Sequence, residues 1–157
     1  MTGKIVFIQT GGTIDKDYPQ GATNHGYEFQ IGEPAFISIL NRANPDFEYE
    51  ITSIAKKDSL DLTDEDRKII LETVKNSDTD KIVITHGTDT IHITAKVLSE
   101  VKNKTIILTG AMLPEKFYDS DADFNVGMAV GAVQSLSFGV YVCLYGKVLP
   151  WDKFKNK

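Results

Sequence analysis

Two threonine-bearing turns stand where strands must end. Gln9-Thr10-Gly11-Gly12-Thr13-Ile14 follows the apolar run at residues 4–8, and Thr85-His86-Gly87-Thr88-Asp89-Thr90 follows the run at residues 81–84. A threonine hydroxyl becomes a useful nucleophile when its surroundings activate it. Glycine beside it lets the backbone approach closely, so that amide N–H groups near Gly12 and Thr88 can face a developing oxyanion. In a parallel α/β sheet the groups beyond the carboxyl ends of the strands collect in one crevice. The two turns can therefore face each other across a single pocket and bring two hydroxyls to it.

The rest of the chain alternates strand and helix around those turns. Residues 5–9, 49–55, 81–85, 105–109 and 139–145 are short β-rich runs that predict five strands. Between them, Pro34 suits the first turn of a helix that runs to Asn44-Pro45. Thr63 followed by Asp64, Glu65 and Asp66 opens a helix that carries Ile70, Leu71 and Val74 through Asn76. Residues 89–102 place Ile91, Ala95, Leu98 and Val101 at helical spacing, and residues 123–136 form a helix rich in small side chains. There, Met128 and the Gly127–Gly131 spacing predict close packing of helix on sheet. Residues 15–33 hold three glycines and a proline among polar side chains and read as a long mobile loop, a lid in functional terms. The sum is an α/β fold: a doubly wound, mostly parallel sheet with flanking helices in a single domain over residues 1–157.

Composition narrows the function. The chain has 157 residues, 41% hydrophobic and 25% charged, with a net charge of −5. That balance argues against nucleic acid as a partner and gives no reason for membrane binding. No apolar stretch has transmembrane length, and the start of the chain lacks a signal-peptide pattern, which predicts a cytoplasmic setting. The lone Cys143 lies in an apolar run and reads as a buried structural thiol. No His/Cys/Asp cluster has metal-ligand spacing, so neither metal nor cofactor is expected. The Gly-Gly turn lacks the G-x-G-x-x-G spacing of dinucleotide-binding folds.

Five segments occur in an order that resembles the bacterial-type L-asparaginase/glutaminase family, in its N-terminal domain. They are Gly11-Gly12-Thr13-Ile14, Asp58-Ser59-Leu60-Asp61-Leu62, His86-Gly87-Thr88-Asp89-Thr90, Gly110-Ala111-Met112 and Asp123-Phe124-Asn125. The likeness spans nearly the whole chain, and the His-Gly-Thr-Asp-Thr run after a strand is its most specific part. It implies a flavodoxin-like α/β domain that hydrolyses L-asparagine, and L-glutamine more slowly, without a cofactor. Thr13 resembles the primary nucleophile and Thr88 the second threonine. Asp89 matches the carboxylate that takes the substrate ammonium, and Ser59 the donor to its carboxylate. Asp58, Asp61 and Gly12 fall in the same pocket, and Ala111 matches a backbone contact to the leaving amide. Tyr27, with Tyr18 as the alternative, matches the lid tyrosine. The lysine paired with the second threonine falls at Lys155, Asn156 or Lys157, with Lys155 preferred.

Family members usually carry a second, smaller domain; its absence is expected here, with the chain either a naturally short form or an isolated N-terminal domain. That implies a weak or inactive enzyme, or an amino-acid-binding domain without turnover. It also predicts an exposed apolar patch at Val148, Leu149, Pro150, Trp151 and Phe154 that makes the protein a homo-oligomer. The other candidates read as structural. His86 is expected to be buried and hydrogen-bonded, and His25 and His92 to lie on the surface. Asp15, Asp17, Asp58 and Asp61 read mostly as solvated loop acids. Thr10, Thr85, Thr90 and Thr109 read as β-formers and caps.

Overall fold

The structure is a computed structural model that describes residues 3–18 and 29–157. Strand β1 (Ile5–Gly11) opens the chain, and a 3-10 turn at Thr13–Asp15 leads into β2 (Lys16–Asp17), which pairs antiparallel with β3 (Gln30–Ile31). Then come α1 (Ala35–Ala43), β4 (Tyr49–Lys57), a 3-10 turn at Ser59–Asp61 and α2 (Asp64–Asn76). Strand β5 (Lys81–Thr85) is followed by a 3-10 turn at Thr88–Thr90 and α3 (Ile91–Leu98). Strand β6 (Thr105–Thr109), α4 (Ala122–Ser135), β7 (Gly139–Leu144) and β8 (Lys147–Pro150) complete the domain. The main sheet has six strands in the order β4-β1-β5-β6-β7-β8. All its pairs are parallel except β7–β8.

The two-residue period of β1 splits its side chains between two cores. Ile5 and Phe7 join Phe36, Ile39 and Leu40 of α1 and Val126 and Val133 of α4 on one face. Val6 and Ile8 join Ile70 and Val74 of α2 and Ile91 and Leu98 of α3 on the other. Strands covered on both faces need near-continuous apolar runs, which is why the central strands were legible. Helix α2 starts where its capping residues put it: Thr63 and Asp66 form a reciprocal capping box.

Four expectations need correction. The sheet has a sixth strand, because Tyr145 (φ 56°) and Gly146 (φ 74°) make a tight left-handed turn that reverses the chain into β8. That strand removes the exposed patch: Val148 and Leu149 pair opposite Cys143 and Val142, and Trp151 and Phe154 pack against the core. The helix expected over residues 89–102 begins at Ile91, since Thr90 (φ −125°, ψ 19°) breaks the α geometry after the 3-10 turn. It ends at Leu98, where backbone bonds from Ser99 to Lys96 and from Val101 to Leu98 tighten the chain. Gly127 and Gly131 face open space, and α4 packs through Ala122, Val126, Ala129 and Val133. The described parts of the 15–33 loop are tied down at the base, where Gln9 Nε2 donates to the Gly32 carbonyl at 2.8 Å. No helix among the described residues is long and apolar enough to cross a membrane.

Candidate active site

Three strand ends meet with almost no space between them. Gly12 sits at φ 93°, and a Cβ there would lie 2.5 Å from the Gly87 nitrogen. A Cβ on Gly87 would lie 2.7 Å from Cβ of Ser59, and one on Gly110 would lie 2.4 Å from the His86 carbonyl oxygen. The ends of β1, β5 and β6 and the Ser59–Asp61 turn are thereby in backbone contact. Gly87 itself has φ −67° and ψ 144°, which any residue adopts, so only space demands glycine there. Gly87→Ala is therefore expected to cost about 1–3 kcal/mol, as overpacking does, and to shift the Ser59 amide resonance. Chemical denaturation with amide spectra tests it. An unshifted Ser59 signal would show that the two segments do not touch.

Beyond this junction lies a cavity of about 330 Å³ lined by Thr13, Lys16, Asp58, Ser59, Leu60, Asp61, Gly87, Thr88 and Asp89. The threonines divide by what their hydroxyls do. Thr10 donates to the Thr85 carbonyl and Thr109 to the Cys143 carbonyl, each at 2.7 Å. Thr90 donates to the Ser59 carbonyl at 2.8 Å. The Thr85 hydroxyl lies at 3.5 Å from the Asp15 carboxylate. By contrast, no hydrogen bond from another described residue engages the hydroxyls of Thr13, Thr88 or Ser59, and all three residues line the cavity. Two half-buried threonines and a serine thus bring unengaged hydroxyls to one space.

Among the described residues, the cavity carries three carboxylates and one cation. Lys16 Nζ lies 3.1 Å from Asp58 Oδ1, and Asp61 and Asp89 are exposed. Their excess negative charge suits a ligand with an ammonium group. His86 stands behind the cavity, buried, with Nδ1 2.7 Å from the Gly87 carbonyl oxygen and Nε2 2.7 Å from Thr94 Oγ1. Burial pushes its pKa down to about 4, so at neutral pH the ring is uncharged and plays a structural part. Cys143 is buried too, and burial raises its thiol to about 12.

Asp15 is not a solvated loop acid. It is 3% exposed, and its Oδ1 accepts the Ala35 N–H at 2.7 Å, capping α1 from a distant part of the chain. Burial, aided by the nearby Glu115 charge, raises its pKa to about 7 against the hydrogen bonds from Ala35, Gln9 and Thr85. The folded state therefore keeps a proton that the unfolded chain loses near pH 4. Stability from Asp15 is complete below that point and falls as pH rises towards 7. Asp15→Asn is expected to flatten this fall and to gain a few kcal/mol at pH 8, on the order of 4 at most. Urea denaturation at pH 4 and pH 8 measures it; an equal slope in both proteins would rule out a titrating Asp15.

The structure gathers Thr13, Asp58, Ser59, Asp61, Thr88 and Asp89 around the cavity. Gly12 packs beneath it, against Gly87. Ala111 is buried with Ile14 in the core and does not line the cavity. Tyr27 and His25 lie outside the described residues, and His92 is exposed. Tyr18 packs against Phe29 with tilted rings, centroids 4.8 Å apart, and lines a separate groove. Lys155 is exposed and does not reach the cavity; the residue against the second threonine is Asn156, whose Nδ2 donates to the Thr88 carbonyl at 2.8 Å. Lys157 sits over the Tyr145 ring. Sequence reasoning missed Lys16, the cavity's cation, whose only local signal is its position three residues after Thr13.

The chain matches known proteins over most of its length. The family model described as "Asparaginase, N-terminal" matches residues 4–153. The chain is 34% identical to a Methanococcus vannielii protein named as a subunit of glutamyl-tRNA(Gln) amidotransferase, over 92% of this chain and 34% of that one. It is 32% identical to an L-asparaginase of Thermococcus kodakarensis, over 93% of this chain and 45% of that one. The solved structure of the thermostable L-asparaginase from Thermococcus kodakarensis superposes with a TM-score of 0.81 at 29% identity, covering 94% of this chain and 46% of that chain. The chain thus spans between a third and a half of the length of these relatives.

Proposed function

The chain belongs to the asparaginase family, through that family's N-terminal domain, and on that premise we propose that it hydrolyses the side-chain amide of a small α-amino acid, L-asparagine before L-glutamine. The observation that carries the reading is the single cavity where Thr13, Ser59, Thr88 and Asp89 meet. In this scheme the carboxylate of Asp89 holds the substrate ammonium, and Ser59 with nearby N–H groups holds its carboxylate. Thr13 Oγ attacks the amide carbon, its proton passes to the leaving nitrogen, and ammonia departs as a threonyl ester forms. Water held at Thr88 then cleaves the ester to release aspartate and restore the hydroxyl. Backbone N–H groups around Gly12 and Thr88 face the oxyanion in both steps.

One observation favours a second reading. Asn156, rather than a lysine, reaches Thr88, and an amide side chain cannot take a proton as an amine can. A domain that binds the amino acid with little turnover fits that arrangement. Ammonia release from L-asparagine separates the two readings, with L-aspartate binding measured by calorimetry on the same chain. Turnover supports hydrolysis. Binding without ammonia supports the second reading, and absence of both removes the amino-acid site altogether.

The proposal places the protein in the cytoplasm, where a buried thiol such as Cys143 stays reduced. Self-association is part of it as well, now through Met112 and Phe124, both more than half exposed. Sedimentation across a wide concentration range reads the association state, and a monomer throughout would remove it.

A further inference from the structure

The two walls of the cavity are tied together by one buried arginine. Arg67, on α2, is 6% exposed, and no carboxylate among the described residues lies within ion-pair distance of it. Its guanidinium is engaged on three atoms. Nε donates to Thr94 Oγ1 at 3.0 Å, Nη1 to the Leu62 carbonyl at 3.1 Å and Nη2 to Thr90 Oγ1 at 2.9 Å. Each hydroxyl passes the bond on. Thr90 donates to the Ser59 carbonyl at 2.8 Å. Thr94 lies 2.7 Å from His86 Nε2, and His86 Nδ1 lies 2.7 Å from the Gly87 carbonyl. A carbonyl only accepts, so Nδ1 carries the proton and uncharged Nε2 accepts from Thr94. The chain of donors therefore runs one way, from Arg67 outward to both walls.

Those endpoints are the cavity. One wall is the Ser59–Asp61 turn, which Leu62 closes from behind; the other is Gly87 with Thr88 and Asp89, whose turn ends at Thr90. The close contact of Gly87 with Ser59 stops the walls moving nearer, and the arginine stops them moving apart. A buried charge without a counter-ion is costly for stability alone. A lysine could not replace it, since one ammonium nitrogen cannot meet three acceptors spread across a planar fork.

We propose that Arg67 is a positioning residue that fixes the separation of Ser59, on the α-carboxylate side, from Thr88, at the side-chain end, and through it the length of α-amino acid the cavity selects. This rests on the amino-acid reading above. Arg67→Lys in the full chain is the test, with two readouts. Amide hydrogen exchange should quicken together at residues 59–62 and 88–90 while α2 stays protected. The preference for L-aspartate over L-glutamate, by calorimetry, should narrow by about ten- to a hundredfold, the scale of a misplacement near 1 Å. A residue needed only for stability would not move that ratio.

If Arg67→Lys fails to fold, Thr90→Val severs one branch alone and should quicken exchange at residues 59–62. Unchanged exchange at both turns in either folded variant overturns the clamp, as does quickened exchange with an unchanged ratio. If the wild-type chain binds neither amino acid, the amino-acid reading falls by itself, and exchange alone decides whether Arg67 holds the walls.

Discussion

Thr13→Ala is expected to leave the domain folded and to lower ammonia release from L-asparagine by at least about a thousandfold, the scale on which loss of a nucleophile acts. The two halves of that expectation have separate physical grounds. Thr13 is half-buried in its 3-10 turn, and no described residue bonds to its hydroxyl. Removing it takes away no internal contact, so the stability change should stay within about 0.5 kcal/mol, as at ordinary surface positions. The hydroxyl faces the cavity shared with Ser59, Thr88 and Asp89, where its loss removes the atom proposed to attack. Thr10→Val is the natural control. Thr10 is fully buried and donates to the Thr85 carbonyl, so its loss should cost about 1 kcal/mol of stability and little turnover per folded molecule. Ammonia assays beside thermal melts measure both. Activity near wild type in a folded Thr13→Ala protein would end the assignment of Thr13.

Much of this cavity's lining was legible because its parts are local. A glycine pair after an apolar run, a Ser-Leu-Asp turn after a strand and a His-Gly-Thr-Asp-Thr turn each carry their own backbone logic, and parallel strands bring their ends to one crevice. The Thr63–Asp66 cap is equally local. What stayed hidden depends on partners far along the chain. Asp15 looks like any loop acid until the Ala35 amide, 20 residues on, closes over it. Arg67 occupies a position in a charged helix, and only its contacts with Leu62, Thr90 and Thr94 show that it is buried. Strand β8 was missed because its turn is Tyr-Gly, whereas the usual two-residue hairpin signal is Asn-Gly or Asp-Gly. That omission produced the false apolar patch. The tail stayed unresolved among Lys155, Asn156 and Lys157 for a related reason: a tail without periodicity has no register, and packing sets Asn156 against the Thr88 carbonyl.

Asp89→Asn is expected to weaken L-aspartate binding by about thirtyfold or more while leaving stability nearly unchanged. The charge-assisted bond between a carboxylate and a ligand ammonium is worth about 2–5 kcal/mol when lost, and exposure decides where in that range it falls. Asp89 is exposed at the rim of the cavity, where water screens the pair, so the lower bound of about 2 kcal/mol applies, which is about thirtyfold in affinity. Stability should hold because no hydrogen bond or ion pair to another described residue engages the Asp89 side chain. Among the described residues, its structural service is a negative charge in the first turn of the Thr88–Thr90 3-10 helix, worth about 0.3–1 kcal/mol. Asp61→Asn supplies the comparison, since Asp61 lines the same cavity with similar exposure. If both variants lose affinity equally, the cavity attracts the ammonium through its summed charge. If only Asp89→Asn does, a specific contact holds it. Calorimetry with L-aspartate at two salt concentrations completes the test: a field effect fades with salt while a direct contact persists. Wild-type affinity in Asp89→Asn would leave Asp89 as a helix-end charge and nothing more.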